Sequence, residues 1–565
     1  MKNKFKIAIL ATILLGFSCT KLNEQVLDES LTGGKVQSDI ITGTVAPAYA
    51  MLPDFFLHTR YFALQEVSTD EAILPYRGGT DWGDNGIYID LHRHLMTPSH
   101  VRITEAWNTL VTLISRTVTA INVLKPLAAS DASAKTYLAE MRALRAYYNM
   151  VLLDMYGLSF IKDDPNEVSK IIRKSEAVDY IKAELEAALP DVGTTTGPGR
   201  ITQGGVNGLL ARLYLNAAVW RDPYAATFTF KTEDMDKVIS YTDKVINSAQ
   251  YQLSPEYFAI FDDENHDNKE LIFAVDQRPD LNGHNRMAYF SLSGDQFPLP
   301  AFPAANGTDG PAITPDFYGS WTQAYGTADP SRDARFLKKN LVIPTDSLPF
   351  YVDGNTYRID RGIIRGQQFG LITTKAGQPF ERGANNTYKI GKLYNVTRAD
   401  KTKLVNHTLQ IDFSSTGSGY STGYRVEKYE FSKLSDSGRN KGQADIVIIR
   451  YADIYLMRAE AKMRKGDSAG ALSDVNAVRS SRTARPSQTP PALTSMTLDL
   501  LYRERGFEFY WECQRRTDMI RFGKYEGTWT EKTDADVKKR LFPVPQSAVD
   551  GASANKGYLV QNDGY

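Results

Sequence analysis

Cysteine is nearly absent from this chain: 565 residues contain two, Cys19 and Cys513. Two thiols build no disulfide framework and cannot by themselves supply a four-cysteine zinc site. An excess of charge of either sign is also missing, with 66 Lys+Arg against 66 Asp+Glu. That balance excludes the broad basic surface on which non-specific nucleic-acid binding depends. After residue 17 no run approaches eighteen uninterrupted apolar residues, so no later segment reads as a membrane span. No H-E-x-x-H occurs, and the glycine-rich positions match neither a P-loop nor a dinucleotide fingerprint. Aromatic residues are plentiful, with 31 Tyr, 25 Phe and 6 Trp, in a chain that is 42% hydrophobic and 23% charged. This is the composition of a globular body.

The first nineteen residues stand apart. Lys2, Lys4 and Lys6 precede an apolar run from Ile7 to Phe17, followed by Ser18-Cys19. Eleven helical residues reach about 16 Å, too short for a bilayer core of about 30 Å, so the segment reads as an export signal. Its end, Leu15-Gly16-Phe17-Ser18-Cys19, resembles a bacterial lipoprotein signal, with Leu one position further from the cysteine than is usual. Residues 1–18 are then expected to be cleaved and Cys19 lipidated, with residues 19–36 as a tether. Removing three lysines leaves 63 basic against 66 acidic residues.

Helical periodicity dominates residues 37–250. Val101–Leu124 places Ile103, Trp107, Leu110, Ile114, Val118 and Ile121 at steps of three and four. Tyr137–Tyr156 repeats the pattern, and Gly157 follows as a C-cap. Val178–Leu189, Val206–Trp220 and Met235–Ile246 continue it. From 251 to 445 Gly, Pro, Asn and Asp recur every few residues. Short apolar runs such as Leu271–Val275 there read as strands in a loop-rich region. Helices are expected again over Ile446–Lys465, Ser468–Arg479 and Leu498–Phe522. Ala459, Ala461, Gly466 and Ala471 put small residues where paired helices approach, as in tetratricopeptide hairpins, although the period is irregular. The expected fold is mainly α, a tetratricopeptide-like helical-hairpin scaffold around an irregular middle, with residues 37–565 forming a single domain.

Several motifs invite a chemical reading. Gly419-Tyr420-Ser421-Thr422-Gly423 matches G-x-S-x-G, but a nucleophile elbow needs a strand before it and a helix after it. Here a Ser/Gly loop precedes and a strand-like run follows. His92-Arg93-His94 would put two imidazoles on one strand face, with no cysteine or carboxylate completing a metal set. Asp262, Asp263, Glu264 and Asp267 lack the alternation of an EF-hand loop and read as a solvated acidic turn. Glu508, Glu512, Arg515 and Asp518 share a helix face at steps of three and four, as a charged network pinning the last helix rather than an acid–base pair.

Blocks along nearly the whole chain carry a family resemblance. They are Glu140-Met141-Arg142-Ala143-Leu144-Arg145-Ala146 with Tyr156-Gly157, Arg450–Ala461 followed by Leu472–Arg479, and Glu504-Arg505 with Glu508, Glu512, Arg515, Asp518, Arg521 and Gly523. Phe542-Pro543-Val544-Pro545 and the ending Gln561–Tyr565 complete the series. Together they resemble the SusD/RagB family of surface lipoproteins. Cys513 stands where the family usually has Gly, and Asp563 where it usually has Pro.

The resemblance implies a non-enzymatic glycan-binding lipoprotein on the extracellular face of the outer membrane. It also implies a SusC-like TonB-dependent transporter as partner, and neither a cofactor nor a metal; calcium is not indicated. Peptide uptake, as in RagB-type members, is the alternative within the family, and a surface glycoside hydrolase the alternative outside it. Glycans present apolar C–H faces edged by hydroxyls, so their sites combine exposed rings with polar side chains. The loop Tyr76–Asn85 holds that mixture. Trp82 is the expected platform, with Asp81 and Arg77 as hydrogen-bonding partners and Trp321 and Tyr325 as further rings from the middle region.

Overall fold

The computed structural model describes residues 34–77, 86–195, 197–281, 284–344, 349–414 and 419–565. The chain divides into a short unit ending at Thr44 and a body from Val45 to Tyr565.

The scaffold of the body is a ladder of helices, each packed on the next in sequence: α1 Val101–Leu127, α2 Ala132–Tyr156, α3 Lys174–Ala188, α4 Gln203–Arg221 and α5 Thr232–Asn247. The expected apolar positions are the buried ones. Ile103, Trp107, Leu110, Ile114, Val118 and Ile121 of α1 face inward. Among the described residues α1 alone is long and apolar enough to cross a membrane, but its stripe is spent on α2. Caps fix the ends of α2. Asp131 accepts from the amides of Ser133 and Ala134 at 2.8 and 3.1 Å, and Gly157 closes the helix at φ 68°. A lost N-cap of this kind costs about 1 kcal/mol.

The ladder then breaks off for two hundred residues. β1 Leu271–Val275 leads out through α6 Pro315–Tyr325, β2 Leu337–Lys338, β3 Phe350–Asp353, β4 Arg361–Ile364, β5 Phe369–Leu371, β6 Thr387–Lys392 and β7 Arg425–Glu427. The chain returns through β8 Ile446–Arg450. β1 and β8 pair antiparallel, Ile446 opposite Val275 and Arg450 opposite Leu271, and so tie the excursion at its neck. Every residue of both strands is buried. Gly208 lets α4 lie against this neck, since a Cβ there would stand 3.0 Å from Ile449 Cδ1. Sequence periodicity extended a helix back to Ile446; the first five residues are instead strand, because the β1 edge satisfies their backbone.

Helices resume as α7 Tyr451–Arg464, α8 Ser468–Ser481, α9 Leu498–Phe509 and α10 Arg515–Arg521. α7 packs back on α5, so the ladder continues as though the excursion had not intervened. The excursion has an apolar core of its own, including Phe297, Leu341, Tyr357, Ile359, Ile364, Leu371, Phe380, Tyr388, Ile390 and Phe431. Its strands form small sheets, β5–β6–β3 and β7–β4–β2. The architecture is mainly α, with tetratricopeptide-like hairpins around a loop-rich, strand-bearing middle.

The expected single helix over Leu498–Phe522 is two. The chain breaks at residues 510–514, where Trp511 and Cys513 take left-handed backbone at φ 64° and 59°. Glu71 accepts from the Trp511 amide at 2.8 Å and Glu66 from the Gln514 amide at 3.2 Å, which replaces the helical partners lost in the break. The glycine usual at position 513 is explained by this conformation, which costs a side-chain-bearing residue about 1–2 kcal/mol.

The charged residues of this segment are in ion pairs, but not along the single helix face expected of them: the break separates Glu508 and Glu512 from Arg515, which pairs with Asp70, and Asp518, which pairs with Arg505 and Arg521. Glu508 meets Arg450, Arg482 and Arg335, and Glu512 meets Lys428 and Arg450. Glu270 meets Arg450 and Arg482. Glu504 meets Arg335 and Arg479, and Asp333 meets Arg335. All are buried. Burial alone would raise the Glu508 carboxyl; Arg482, Arg450 and Arg335 overcome it and hold the group far below its ordinary value. The network joins the start of β1, the ends of β7, β8 and α8, and α9, so it registers the excursion against the ladder.

Candidate functional site

Residues 78–85 separate two described segments. Trp82, Asp81 and Cys19 therefore lie outside the described residues. The N-terminal root of that segment is built around Arg77, which is fully buried. Its guanidinium donates to the carbonyls of Gly419 (2.8 Å), Thr422 (2.7 Å) and Gly310 (3.3 Å), and to Thr422 Oγ1 (3.1 Å). Arg77 is thus not a ligand-facing donor, as the loop composition suggested. Its donors are consumed in clamping three loops together, and burial lowers its pKa.

Beside it Arg425 donates to the carbonyls of Thr422 (2.7 Å), Gly423 (2.8 Å) and Tyr420. Arg398 pairs with Asp309 at 2.5 Å and lies 3.7 Å over the Tyr420 ring. Burial, only partly offset by Asp309, lowers Arg425 to about 10. Backbone carbonyls here do the solvating that carboxylates do in the scaffold network. Gly423 ends this turn at φ 82°, where a Cβ would stand 2.5 Å from that of Ala312. The final glycine of G-x-S-x-G is thereby explained by close packing. Ser421 lies in a loop followed by the strand β7, and His407 Nδ1 faces its carbonyl at 3.3 Å rather than its hydroxyl.

α6 presents two stripes. Phe317 and Trp321, four apart, point inward and are buried. Trp321 stacks on Phe507 at 3.6 Å between centroids, with 13° between planes, and has no surface exposed. It is a core residue, and the expectation of a binding platform at that position is corrected. Tyr318 and Tyr325, seven apart, are half-buried along the other stripe. Tyr325 donates to Asp333 at 2.5 Å and lies parallel to Trp321, so its hydroxyl is committed to the edge of the scaffold network.

Tyr318 is the ring that sequence reading missed. It meets Tyr424 edge to face at 4.9 Å, and Arg365 donates to its hydroxyl at 2.9 Å. Arg365 also forks onto Asp329 at 2.9 and 3.1 Å. Tyr424 follows the turn that Arg77 clamps. The half-buried rings Tyr420 and Tyr424 thus adjoin the turn that Arg77 clamps, and Tyr318 of α6, edged by Arg365 and Asp329, meets Tyr424 there. The heptad spacing of Tyr318 and Tyr325, against the four-residue spacing of Phe317 and Trp321, was the available signal.

The other candidates are structural. His92 and His94 lie at or near the end of a helix, buried, with Nε2 at 2.7 and 2.9 Å from the carbonyls of Thr530 and Ser68, and nearby His100 is held in the same way by Ile87 at 2.9 Å. Asp262 pairs with Arg361, and buried Asp263 accepts from the Lys433 amide and Gln443. The acidic turn is therefore an anchored one. Among the described residues, His266, Asp276 and Asp445 bring ligand atoms within 4.8 Å of one another. Asp276 is forked by Arg278, and Asp445 is held by His266 at 2.7 Å, so these donors already serve one another.

This mainly α ladder with a loop-rich excursion is the fold of SusD-like proteins. The sequence profile of the SusD family matches residues 383–565. Starch-binding protein SusD of Bacteroides thetaiotaomicron is 26% identical over 465 residues, covering 77% of this chain and 74% of that protein. The structure of surface glycan-binding protein A from Bacteroides fluxus aligns over 93% of this chain and 99% of its own, with a TM-score of 0.63 at 18% identity. A laminarin-binding SusD-like protein aligns over the same shares, with a TM-score of 0.62 at 17% identity. The match to the SusD family thus covers the C-terminal part of the chain, and the fold is SusD-like over nearly all of it.

Proposed function

We propose that this protein is a non-enzymatic, cell-surface glycan-binding lipoprotein, held at the outer membrane through Cys19, that delivers oligosaccharide to a SusC-like TonB-dependent transporter. The observation that carries the reading is the Tyr318–Tyr424–Arg365 face, in which Tyr424 follows the turn that Arg77 clamps. Half-exposed rings offer apolar platforms to sugar C–H faces, while Arg365 and Asp329 border them with charge-assisted donors and acceptors. Relatives named for binding starch and laminarin support the ligand class. Trp82 and Asp81 join this face in the proposal, because their segment leaves from Arg77. Binding needs no chemistry, and a lipid tether beside a transporter raises the local concentration of captured ligand.

Protein lacking residues 1–19 is expected to be retarded in gels containing its polysaccharide while releasing no reducing sugar. Sugar release would favour a hydrolase, and binding of peptides but not glycans would favour RagB-type uptake. Trp82→Ala is expected to weaken retardation without changing the melting temperature; unchanged retardation removes Trp82 from the face. Cys19→Ala is expected to free the protein from the membrane fraction, and continued attachment would defeat the lipoprotein assignment.

A further inference from the structure

The two acids that brace the break at residues 510–514 stand against each other. Glu66 lies in a single wide π-turn, Ala63–Val67, and Glu71 precedes the short strand Ala72–Ile73. Both are buried, at 0% and 1% exposure. One oxygen of each is engaged: Glu71 Oε1 accepts from the Trp511 amide at 2.8 Å, and Glu66 Oε1 from the Gln514 amide at 3.2 Å. The two carboxyls face each other at hydrogen-bonding range, yet the remaining oxygen of each, Oε2, lacks a donor. Two ionised carboxylates only accept, so they bond to one another only through a proton.

The cations that act on the pair are committed elsewhere. Arg515 forks onto Asp70 at 2.7 and 2.8 Å. Lys428 donates to Glu512 and to the Tyr510 carbonyl, both at 2.6 Å. Asp70, Glu66 and Glu71 thus have one arginine among them. His92 and His94, from the short helix packed on the π-turn, bond to backbone carbonyls and are kept neutral by burial. Burial and the neighbouring carboxyls likewise keep the Cys513 thiol protonated. The buried side chains of α1, which also packs on this turn, are all uncharged. Like charges at this range in a dry interior do not both ionise. Burial, with the Glu71 charge adding to it, raises Glu66 well above the usual carboxylate range, and burial raises Glu71 to about 7.

We propose that Glu66 and Glu71 share one proton between their Oε2 atoms at neutral pH, and that this acid–carboxylate pair is a pH-sensitive latch closing the break between α9 and α10. Loss of the proton to solvent at alkaline pH leaves two facing carboxylates, whose repulsion drives them off the Trp511 and Gln514 amides. The latch bears on α6 through the backbone. The Glu71 carbonyl accepts from the Thr314 amide at 2.9 Å and the Asp70 carbonyl from Thr314 Oγ1, which in turn caps α6 by accepting from the Phe317 amide at 3.0 Å. The latch is independent of what the tyrosine face binds.

The test is urea unfolding of the wild type, Glu66→Gln and Glu71→Gln, each lacking residues 1–19, from about pH 7 to about pH 9. The infrared carbonyl band of protonated carboxyls is recorded alongside at neutral pH. A Gln amide puts an N–H donor where the shared proton stood and leaves the other carboxyl ionised. The folded wild type keeps a proton that the unfolded chain releases, so its stability falls as pH rises. Its unfolding constant is expected to climb by up to about tenfold per pH unit more than that of either variant, the effect of one proton. Each variant should also lose one carboxyl's band. Equal pH dependence in all three proteins, or a band that neither variant diminishes, overturns the shared proton; a water bridging two carboxylates gives that result. Failure of both variants to fold overturns it too, since the amide is the closest replacement for a protonated carboxyl. Where only one variant folds, that one decides.

Discussion

Two clusters of buried arginines hold this molecule together, and they are neutralised in different ways. In the scaffold network Arg335, Arg450, Arg479, Arg482 and Lys428 face Asp333, Glu270, Glu504, Glu508 and Glu512, cation for anion. In the excursion Arg398 and Arg425, joined by Arg77 from outside it, gather near Asp309, and the surplus charge is solvated by the carbonyls of Gly310, Gly419, Tyr420, Thr422 and Gly423. Paired carboxylates fix rigid elements relative to one another, since side chains reach between helices and strands. Carbonyl-bound guanidiniums fix the path of the backbone itself. A ladder needs the first arrangement; a surface made of loops needs the second.

The sharpest way to break this comparison is Glu508→Ala. It leaves Arg450, Arg482 and Arg335 short of a partner in a dry interior, and a loss of about 3–5 kcal/mol is expected in urea unfolding. A loss below about 1 kcal/mol would mean that the network does not bear on stability.

Arg77→Met probes the other cluster. It strands several loop carbonyls, so a loss of about 1–3 kcal/mol is expected, together with weakened retardation by polysaccharide. Glu508→Gln should leave retardation intact wherever the variant is folded. Equal effects of the two variants on binding would erase the distinction between the clusters.

Tyr318→Ala removes one platform. A two- to tenfold weaker interaction is expected at unchanged melting temperature, from a ring contact worth about 0.5–1.5 kcal/mol. Unchanged affinity would move the site elsewhere.

The two regions should also answer pH from opposite ends. Burial raises Glu427 on β7 to about 8, only partly offset by Arg361 and the Phe431 amide. The folded chain keeps that proton while the unfolded chain releases it, so this group's contribution falls as pH rises from about 4.5 to about 8. Glu460 on α7 behaves oppositely: burial raises it, but Arg521 and Arg464 win and lower it to about 2. Its contribution is lost as pH falls from about 4.5 to about 2. Melting temperature is therefore expected to peak on the acid side of neutrality, and Glu427→Gln to flatten the decline between pH 5 and 8. An equally steep decline in the variant would remove Glu427 as its source. The smallest effect is reserved for Cys513→Gly, where relief of left-handed strain of about 1–2 kcal/mol offsets the loss of a small buried side chain. A net change within about 1 kcal/mol is expected by urea unfolding, and a larger loss would show the thiol to be packed more tightly than the backbone is strained.

Periodicity placed every ladder helix to within a few residues, because the ladder is built from contacts between sequence neighbours and each helix carries its own apolar stripe. The family blocks were legible for the same local reason. The pairing of β1 with β8 was not, since Ile446–Arg450 is apolar enough for either state and only a strand 171 residues earlier, at Val275, decides between them. The break at Trp511–Cys513 was hidden likewise, its amides being satisfied by Glu66 and Glu71 from the far end of the chain.

The site divides along the same line. Sequence alone determined that α6 carries aromatic residues and that a mixed polar and aromatic loop begins at Tyr76. Only the tertiary structure decided that Trp321 lies inside against Phe507 while Tyr318 lies outside, and that Arg77 spends its donors on the carbonyls of Gly310, Gly419 and Thr422. Residue type sets what a side chain can contact. Which of those contacts it makes depends on partners hundreds of residues away.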